Sequence, residues 1–175
     1  MRRLLALVLT LLMVFPAMAE EQAGYSRGDV VADFALTTWD GQELLFSQLL
    51  AEKEAVVLHI FTLRCGACEV EMPLLQSIYE AYGDRLAFIA VTIDEVDTDK
   101  QLKTYCTRRK LTFPVARDTA DLALQYPISC VPSTFLIDKE GVLQERKAGA
   151  FQDAEEFAAF VAPYLVAEAV VEEQE

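Results

Sequence analysis

The segment of this chain best equipped for chemistry is Cys65-Gly66-Ala67-Cys68. Two thiols two residues apart can close a small disulfide ring. The thiolate of one can attack a disulfide elsewhere, and the other can then resolve the mixed disulfide. Placement matters as much as spacing. The pair follows a continuous apolar, β-branched run from Ala55 to Thr62, which reads as a strand buried on both faces. It precedes a helical pattern to Tyr82, in which Val70, Leu74, Leu75, Ile78 and Tyr82 recur at helical spacing. A helix N-terminus supplies unpaired N–H groups and a positive dipole end, both of which favour a thiolate. Cys65 is therefore the expected attacking sulfur, at the mouth of the turn, and Cys68 the expected resolving one. A structural zinc site would need a second Cys or Cys/His pair, and the lone His59 sits on the strand, so neither metal nor cofactor is assigned. Soft thiolates also suit Cu(I), which keeps a copper-binding pair as an alternative.

The elements that must hold this pair follow in order. Asp33–Thr37 and Glu43–Phe46 read as short extended runs around the turn Trp39-Asp40-Gly41. Ser47 is the expected N-cap of a short helix to Glu52. Pro73 lies inside the helix after the cysteine pair, where a kink is expected, and Gly83 is the expected C′ residue ending it. Leu86–Ile93 is a second buried strand and Asp97–Lys110 a charged amphipathic helix. Phe113–Ala116 is a short extended run, and Thr119–Gln125 a short helix. Ser133–Ile137 and Val142–Lys147 form a hairpin around Asp138-Lys139-Glu140-Gly141. Asp153 caps a last helix to about Ala167, with Pro163 inside it. A strand–helix–strand unit crosses over right-handed, so parallel strands with helices on their faces are expected, with antiparallel pairing added by the closing hairpin.

The ends of the chain stand apart. Arg2 and Arg3, an apolar run from Leu4 to Phe15 and the small-x-small Ala17-Met18-Ala19 give residues 1–19 the order of a secretory signal peptide. The rival reading is an uncleaved N-terminal anchor, although the run is short of the roughly 20 residues a span needs. Residues 20–168 are the folded domain and residues 169–175 an acidic tail. With 53% hydrophobic residues the domain can build a core without relying on its four cysteines. The formal net charge of −13 repels phosphate backbones, so a nucleic-acid partner is not expected.

Ala55 through Pro73, AVVLHIFTLRCGACEVEMP, resembles the active-site segment of the thioredoxin superfamily. It is most similar to the exported, redoxin-type branch that includes TlpA, ResA and the cytochrome c maturation thioredoxins, where Glu71-Met72-Pro73 is the usual ending. Val131-Pro132-Ser133-Thr134-Phe135-Leu136-Ile137-Asp138 resembles the second conserved segment of that family. The leading Asp33-Phe34-Ala35-Leu36 and Asp40-Gly41 resemble the β-hairpin extension of the branch. The resemblance implies an α/β thioredoxin fold: a central mixed sheet flanked by helices, with an N-terminal β-hairpin and a helical insertion. It also implies that Pro132 is cis, that Val131 lines the substrate groove and that Glu71 tunes the second thiol. The implied activity is periplasmic thiol–disulfide exchange in the direction of reduction, on protein disulfides such as those met in cytochrome c maturation. The implied electron source is a membrane donor of the DsbD/CcdA type, and the protein is expected to act as a monomer.

Four departures and additions accompany that resemblance. Arg64 stands where the family has Trp, so a guanidinium flanks the nucleophile and can favour its thiolate or simply face solvent. Ala67 replaces the usual Pro. His59 occupies the strand position where relatives carry Asp or Asn, so it is either a proton relay for Cys68 or a satisfied core histidine. Cys106 and Cys130 can form a structural bridge, can include a third redox-active thiol at Cys130, or can both stay free; a bridge is the first expectation in an oxidising compartment. Asp33-Phe34 and Thr62-x-x-Cys65 also resemble peroxiredoxins, making a peroxidase the alternative enzyme. However, Leu58 stands where the peroxidatic motif has Pro.

Overall fold

The computed structural model describes residues 24–165. The signal-peptide segment 1–19 and the acidic tail 169–175 lie outside the described residues. The apolar run Ala55–Phe61 forms the central strand β3, and all seven of its residues are buried. Such a strand needs cover on both faces and neighbours on both edges. Strand β4 (Leu86–Thr92) pairs parallel to one edge of β3, and β5 (Val115–Arg117) parallel to β4. On the other edge β6 (Ser133–Asp138) runs antiparallel to β3, and β7 (Leu143–Ala148) antiparallel to β6. The sheet order is β5-β4-β3-β6-β7. A separate hairpin of β1 (Ala35–Thr37) and β2 (Glu43–Leu45) lies against the β5 edge. There Trp39 N–H bonds to Val115 O at 2.8 Å, covering an edge that would otherwise expose unpaired amides.

Alternation along β3 divides the core. Val56, Leu58 and Ile60 pack with Phe34, Leu36, Phe46, Leu122 and Phe135 on one face. Ala55, Val57 and Phe61 pack on the other with Cys68, Met72 and Leu75 of α2 (Gly66–Tyr82), with Leu102 and Tyr105 of α3 (Asp99–Arg109), and with Phe157 and Val161 of α5 (Ala154–Val161). The short helices α1 (Phe46–Glu52) and α4 (Leu122–Gln125) complete the first face. This is the mixed sheet with flanking helices, leading hairpin and inserted helix that the sequence leads one to expect. Among the described residues no helix is long and apolar enough to cross a membrane.

Several local expectations shift. Ser47 does not cap α1; the N-cap is Leu45, which makes no side-chain bond. Instead Asp33, from the preceding segment, accepts from Ser47 N–H at 2.8 Å. The helix after β4 begins at Asp99 rather than Asp97, because Thr98 and Gln101 form a capping box there. Gly83 is the C-cap of α2 with a right-handed backbone (φ −63), not a left-handed C′ residue. A Cβ on it would meet the ring of Tyr79 at 3.1 Å. Helix α2 runs unbroken through Pro73. Helix α5 stops at Val161, capped at its start by Asp153 as expected, and a 3-10 turn Ala162–Tyr164 takes over where Pro163 cannot donate.

Candidate active site

The end of β3 delivers the chain directly into the N-terminus of α2, and Cys65 is the N-cap residue of that helix. Its amide bonds back to Thr62 O at 3.2 Å, which fixes the turn. Its sulfur takes the capping position usually filled by an oxygen, accepting from Cys68 N–H at 3.1 Å. Cys65 and Cys68 are disulfide-bonded, with Cα atoms 5.2 Å apart. The two sulfurs differ in surroundings: Cys65 is half-buried, whereas Cys68 has no exposed surface. An incoming group can therefore meet Cys65 alone.

Across from the pair, the Val131–Pro132 peptide is cis, and Val131 O lies 3.6 Å from Cys65 Sγ. The cis bond is the one that the sequence resemblance implies for Pro132. Pro132 is buried, and its carbonyl accepts from Gly149 N–H at 2.8 Å. Gly149 has φ +87, a conformation that suits glycine, and it turns the chain out of β7 toward α2.

Beneath Cys68 lies a buried pair of titratable groups. Glu71, one turn further along α2, accepts from Phe151 N–H at 2.7 Å through Oε1. Its Oε2 faces His59 Nε2 at 3.7 Å, and neither atom has a hydrogen-bond partner among the described residues. His59 Nδ1 is 3.0 Å from Thr134 Oγ1, directly opposite it in the β3–β6 ladder. Exclusion from water pushes Glu71 up to about 7, against the pull of the Phe151 amide, and pulls His59 down to about 3. Both shifts favour the neutral forms, so the contact is an acid beside a neutral imidazole rather than an ion pair.

Arg64 points away into an ion pair with Asp94 at 2.7 Å, and the side chain of Arg64 is largely exposed. The guanidinium holds the Asp94 carboxyl below its ordinary range. Its field at Cys65 is therefore partly cancelled by its own partner, and the thiolate is left mainly to the helix terminus. Cys106 and Cys130 do not bridge. Both are free thiols, Cys106 buried on the inner face of α3 and Cys130 exposed in the loop before Pro132. Burial pushes the Cys106 thiol up to about 12, so it stays protonated.

Three participants were not singled out from the sequence. Thr134 could have been found by setting β6 antiparallel to β3 in register, which puts it opposite His59. The Phe151 amide, 80 residues from Glu71, has no sequence signal. Asp97 is buried and accepts from Thr92 Oγ1 at 2.5 Å and Leu63 N–H at 3.1 Å, anchoring the segment just before Arg64 and Cys65. A capping-box reading of Thr98 and Gln101 would have freed it from the helix.

The AhpC/TSA family profile matches residues 27–146. Thioredoxin-like protein YneN of Bacillus subtilis is 26% identical over 143 residues, covering 81% of this chain and 83% of that protein. The thiol-disulfide oxidoreductase ResA of Geobacillus kaustophilus is 31% identical over 127 residues, covering 71% of each. The crystal structure of StoA from Bacillus subtilis superposes with a TM-score of 0.64 at 27% identity, covering 76% of this chain and 99% of StoA. On the matched profile and on these relatives, the chain belongs to the AhpC/TSA family and is a thioredoxin-like thiol–disulfide oxidoreductase.

Proposed function

We propose that the protein reduces protein disulfides in the periplasm, with Cys65 as nucleophile, Cys68 as resolving thiol and Glu71 as the acid–base group serving Cys68. The observation that carries this reading is the asymmetric pair at the start of α2: an accessible Cys65 sulfur receiving an amide N–H, and an inaccessible Cys68 one turn before a buried carboxyl group that burial pushes up to about 7. In the reduced protein the Cys65 thiolate attacks one sulfur of a substrate disulfide. That S–S bond breaks, a Cys65–substrate disulfide forms, and the departing substrate sulfur takes up a proton. Cys68 then gives its proton to ionised Glu71 and attacks Cys65 Sγ. The second substrate sulfur leaves as a thiol, two electrons have passed to the substrate, and the Cys65–Cys68 disulfide remains.

A carboxyl group held near 7 suits that proton transfer, since both of its forms are populated at neutral pH. His59 serves Glu71 rather than Cys68. When Glu71 is protonated, its hydroxyl faces a bare Nε2, and Nδ1–H donates to Thr134. When Glu71 is ionised, the other tautomer presents Nε2–H and Nδ1 accepts from the Thr134 hydroxyl. Val131 and Pro132 frame the substrate chain beside Cys65, with Arg64 at the rim.

The periplasmic setting rests on the signal-peptide order of residues 1–19, with cleavage after Ala19. The reducing direction, cytochrome c maturation as one outlet and a membrane donor of the DsbD/CcdA type rest on the redoxin branch that the sequence resembles. A monomer is sufficient, since a single chain supplies every group invoked. The reduction potential of the Cys65–Cys68 couple tests the direction. A value near that of thioredoxin, about −270 mV, supports a reductant, and one near about −120 mV makes the protein an oxidant. Peroxide consumption at a rate exceeding disulfide reduction would replace this reading with the peroxidase.

A further inference from the structure

The chain is strongly acidic, yet its positive charge is unevenly spread. Of fifteen Lys and Arg residues, Lys100, Lys103, Arg108, Arg109 and Lys110 fall on α3 and its C-cap, against a single acid, Asp99. One side of this helix walls an open groove with a volume of about 480 Å³. The opposite wall is Leu63 and Arg64, the two residues immediately before Cys65. The groove therefore starts beside the nucleophile. Its floor includes Tyr105, which is buried and stacked under the Arg109 guanidinium at 3.9 Å, and exposed Val96 adds an apolar edge.

The charges around the groove are not all available. Arg64 is paired with Asp94, and Arg109 with Glu69. Asp97, the one acid in the lining, is buried and occupied by Leu63 N–H and Thr92 Oγ1. Lys100 and Arg108 are exposed, both line the groove, and neither forms an ion pair among the described residues. An acidic protein thus keeps two unmatched cations in a concave surface that opens next to its reactive sulfur. That placement selects anions at one spot while the rest of the surface repels them.

We infer that this groove receives an acidic segment of the substrate polypeptide flanking its disulfide, with an apolar side chain against Tyr105 and Val96 and carboxylates at Lys100 and Arg108. The inference rests on the reading of Cys65 as nucleophile. It makes the protein selective among disulfides by the charge next to the cysteine, a preference that the cysteine pair itself cannot supply.

The test compares three peptides that differ only in the residues flanking one internal disulfide, which are Glu, Gln or Lys. Each is mixed with the pre-reduced protein at about 0.15 M salt, where a Debye length of about 8 Å screens the distant acidic surface but not contacts in the groove. The Glu peptide is expected to be reduced about tenfold faster than the Gln peptide, and the Lys peptide more slowly than either. The Glu advantage should collapse at about 1 M salt. It should also collapse in the double variant Lys100→Glu/Arg108→Glu, whose rate with the uncharged small disulfide dithiodipyridine stays at the parent value. Equal rates for the three peptides, or a Glu preference that survives the double variant, would overturn the inference. So would a uniform acceleration of all three peptides on removing residues 169–175, which would make the chain's own acidic tail the occupant. A Cys65→Ser/Cys130→Ser variant that still reduces dithiodipyridine at the rate of the Cys130→Ser protein would instead overturn the reading of the site beneath it.

Discussion

Along β3 and β4 the two faces of the sheet are lined differently. On one face β3 and β4 present Val56, Leu58, Ile60, Ala87, Ile89 and Val91, an unbroken apolar surface. On the other, the same strands carry His59 and Thr92, and the helix packed there brings Glu71. Burying a polar atom without a partner costs about 1–3 kcal/mol, and His59 Nε2 and Glu71 Oε2 both lack one. An aliphatic pair of similar size would relieve that cost, as it does on the apolar face. The polar groups sit at the end of β3 that leads into the cysteine pair, on the face where Cys68 is buried. Both faces carry an apolar core, and the α2 face gives up part of its stability to bury a titratable pair one turn along the helix from Cys68.

That contrast can be broken most strongly on the apolar face. Replacing Leu58 by Ala leaves a cavity in a fully buried position and should cost about 2–5 kcal/mol in urea denaturation, with disulfide-exchange rates of the folded variant unchanged. An exchange defect matching the stability loss would show that the faces are not separable. Glu71→Gln should do the reverse. It keeps an oxygen for the Phe151 amide, leaves the fold intact and slows resolution of the mixed disulfide by roughly 100-fold at pH 7. The rise in resolution rate with pH near 7 should vanish in a stopped-flow pH series.

The smallest effect is a pH signature of stability. Glu71 binds its proton more tightly folded than unfolded, so its contribution is present at low pH and is lost as pH rises from about 4.5 to about 7. His59 has the opposite sign. Its folded form resists protonation, so its contribution is lost as pH falls from about 6.5 to about 3. Between about 4.5 and 6.5 the two oppose each other, and the parent should show little slope from this pair. Substituting His59 by Asn removes one side, and stability should then fall with rising pH by up to about 1.4 kcal/mol per pH unit over that window. An unchanged slope in the variant would mean that the two groups are not both neutral in the folded protein.

The same contrast explains which features the sequence announced. The apolar runs at Ala55–Thr62 and Leu86–Ile93 marked the two central strands, because burial on both faces leaves no alternation to misread. Cys65 and Cys68 were marked by local spacing and Pro132 by the resemblance of its segment, and the structure brings them together. What depended on distant partners was not marked. The fate of Cys106 and Cys130 turned on α3 packing its cysteine inward while the loop before Pro132 stayed exposed. The helix start that Ser47 was expected to cap has its Ser47 N–H bonded to Asp33 instead, from before the hairpin. Glu71 and His59 could be singled out, but their neutral pairing comes from burial that only the packed fold supplies.

The central claim is that Cys65 attacks and Cys68 resolves, and trapping tests it most directly. Reduced Cys68→Ser protein mixed with a disulfide peptide should stall as a one-to-one mixed disulfide that mass mapping places on Cys65, while reduced Cys65→Ser protein should accumulate none. A stable adduct on Cys68 in the Cys65→Ser variant, or on Cys130 in either, would contradict the account.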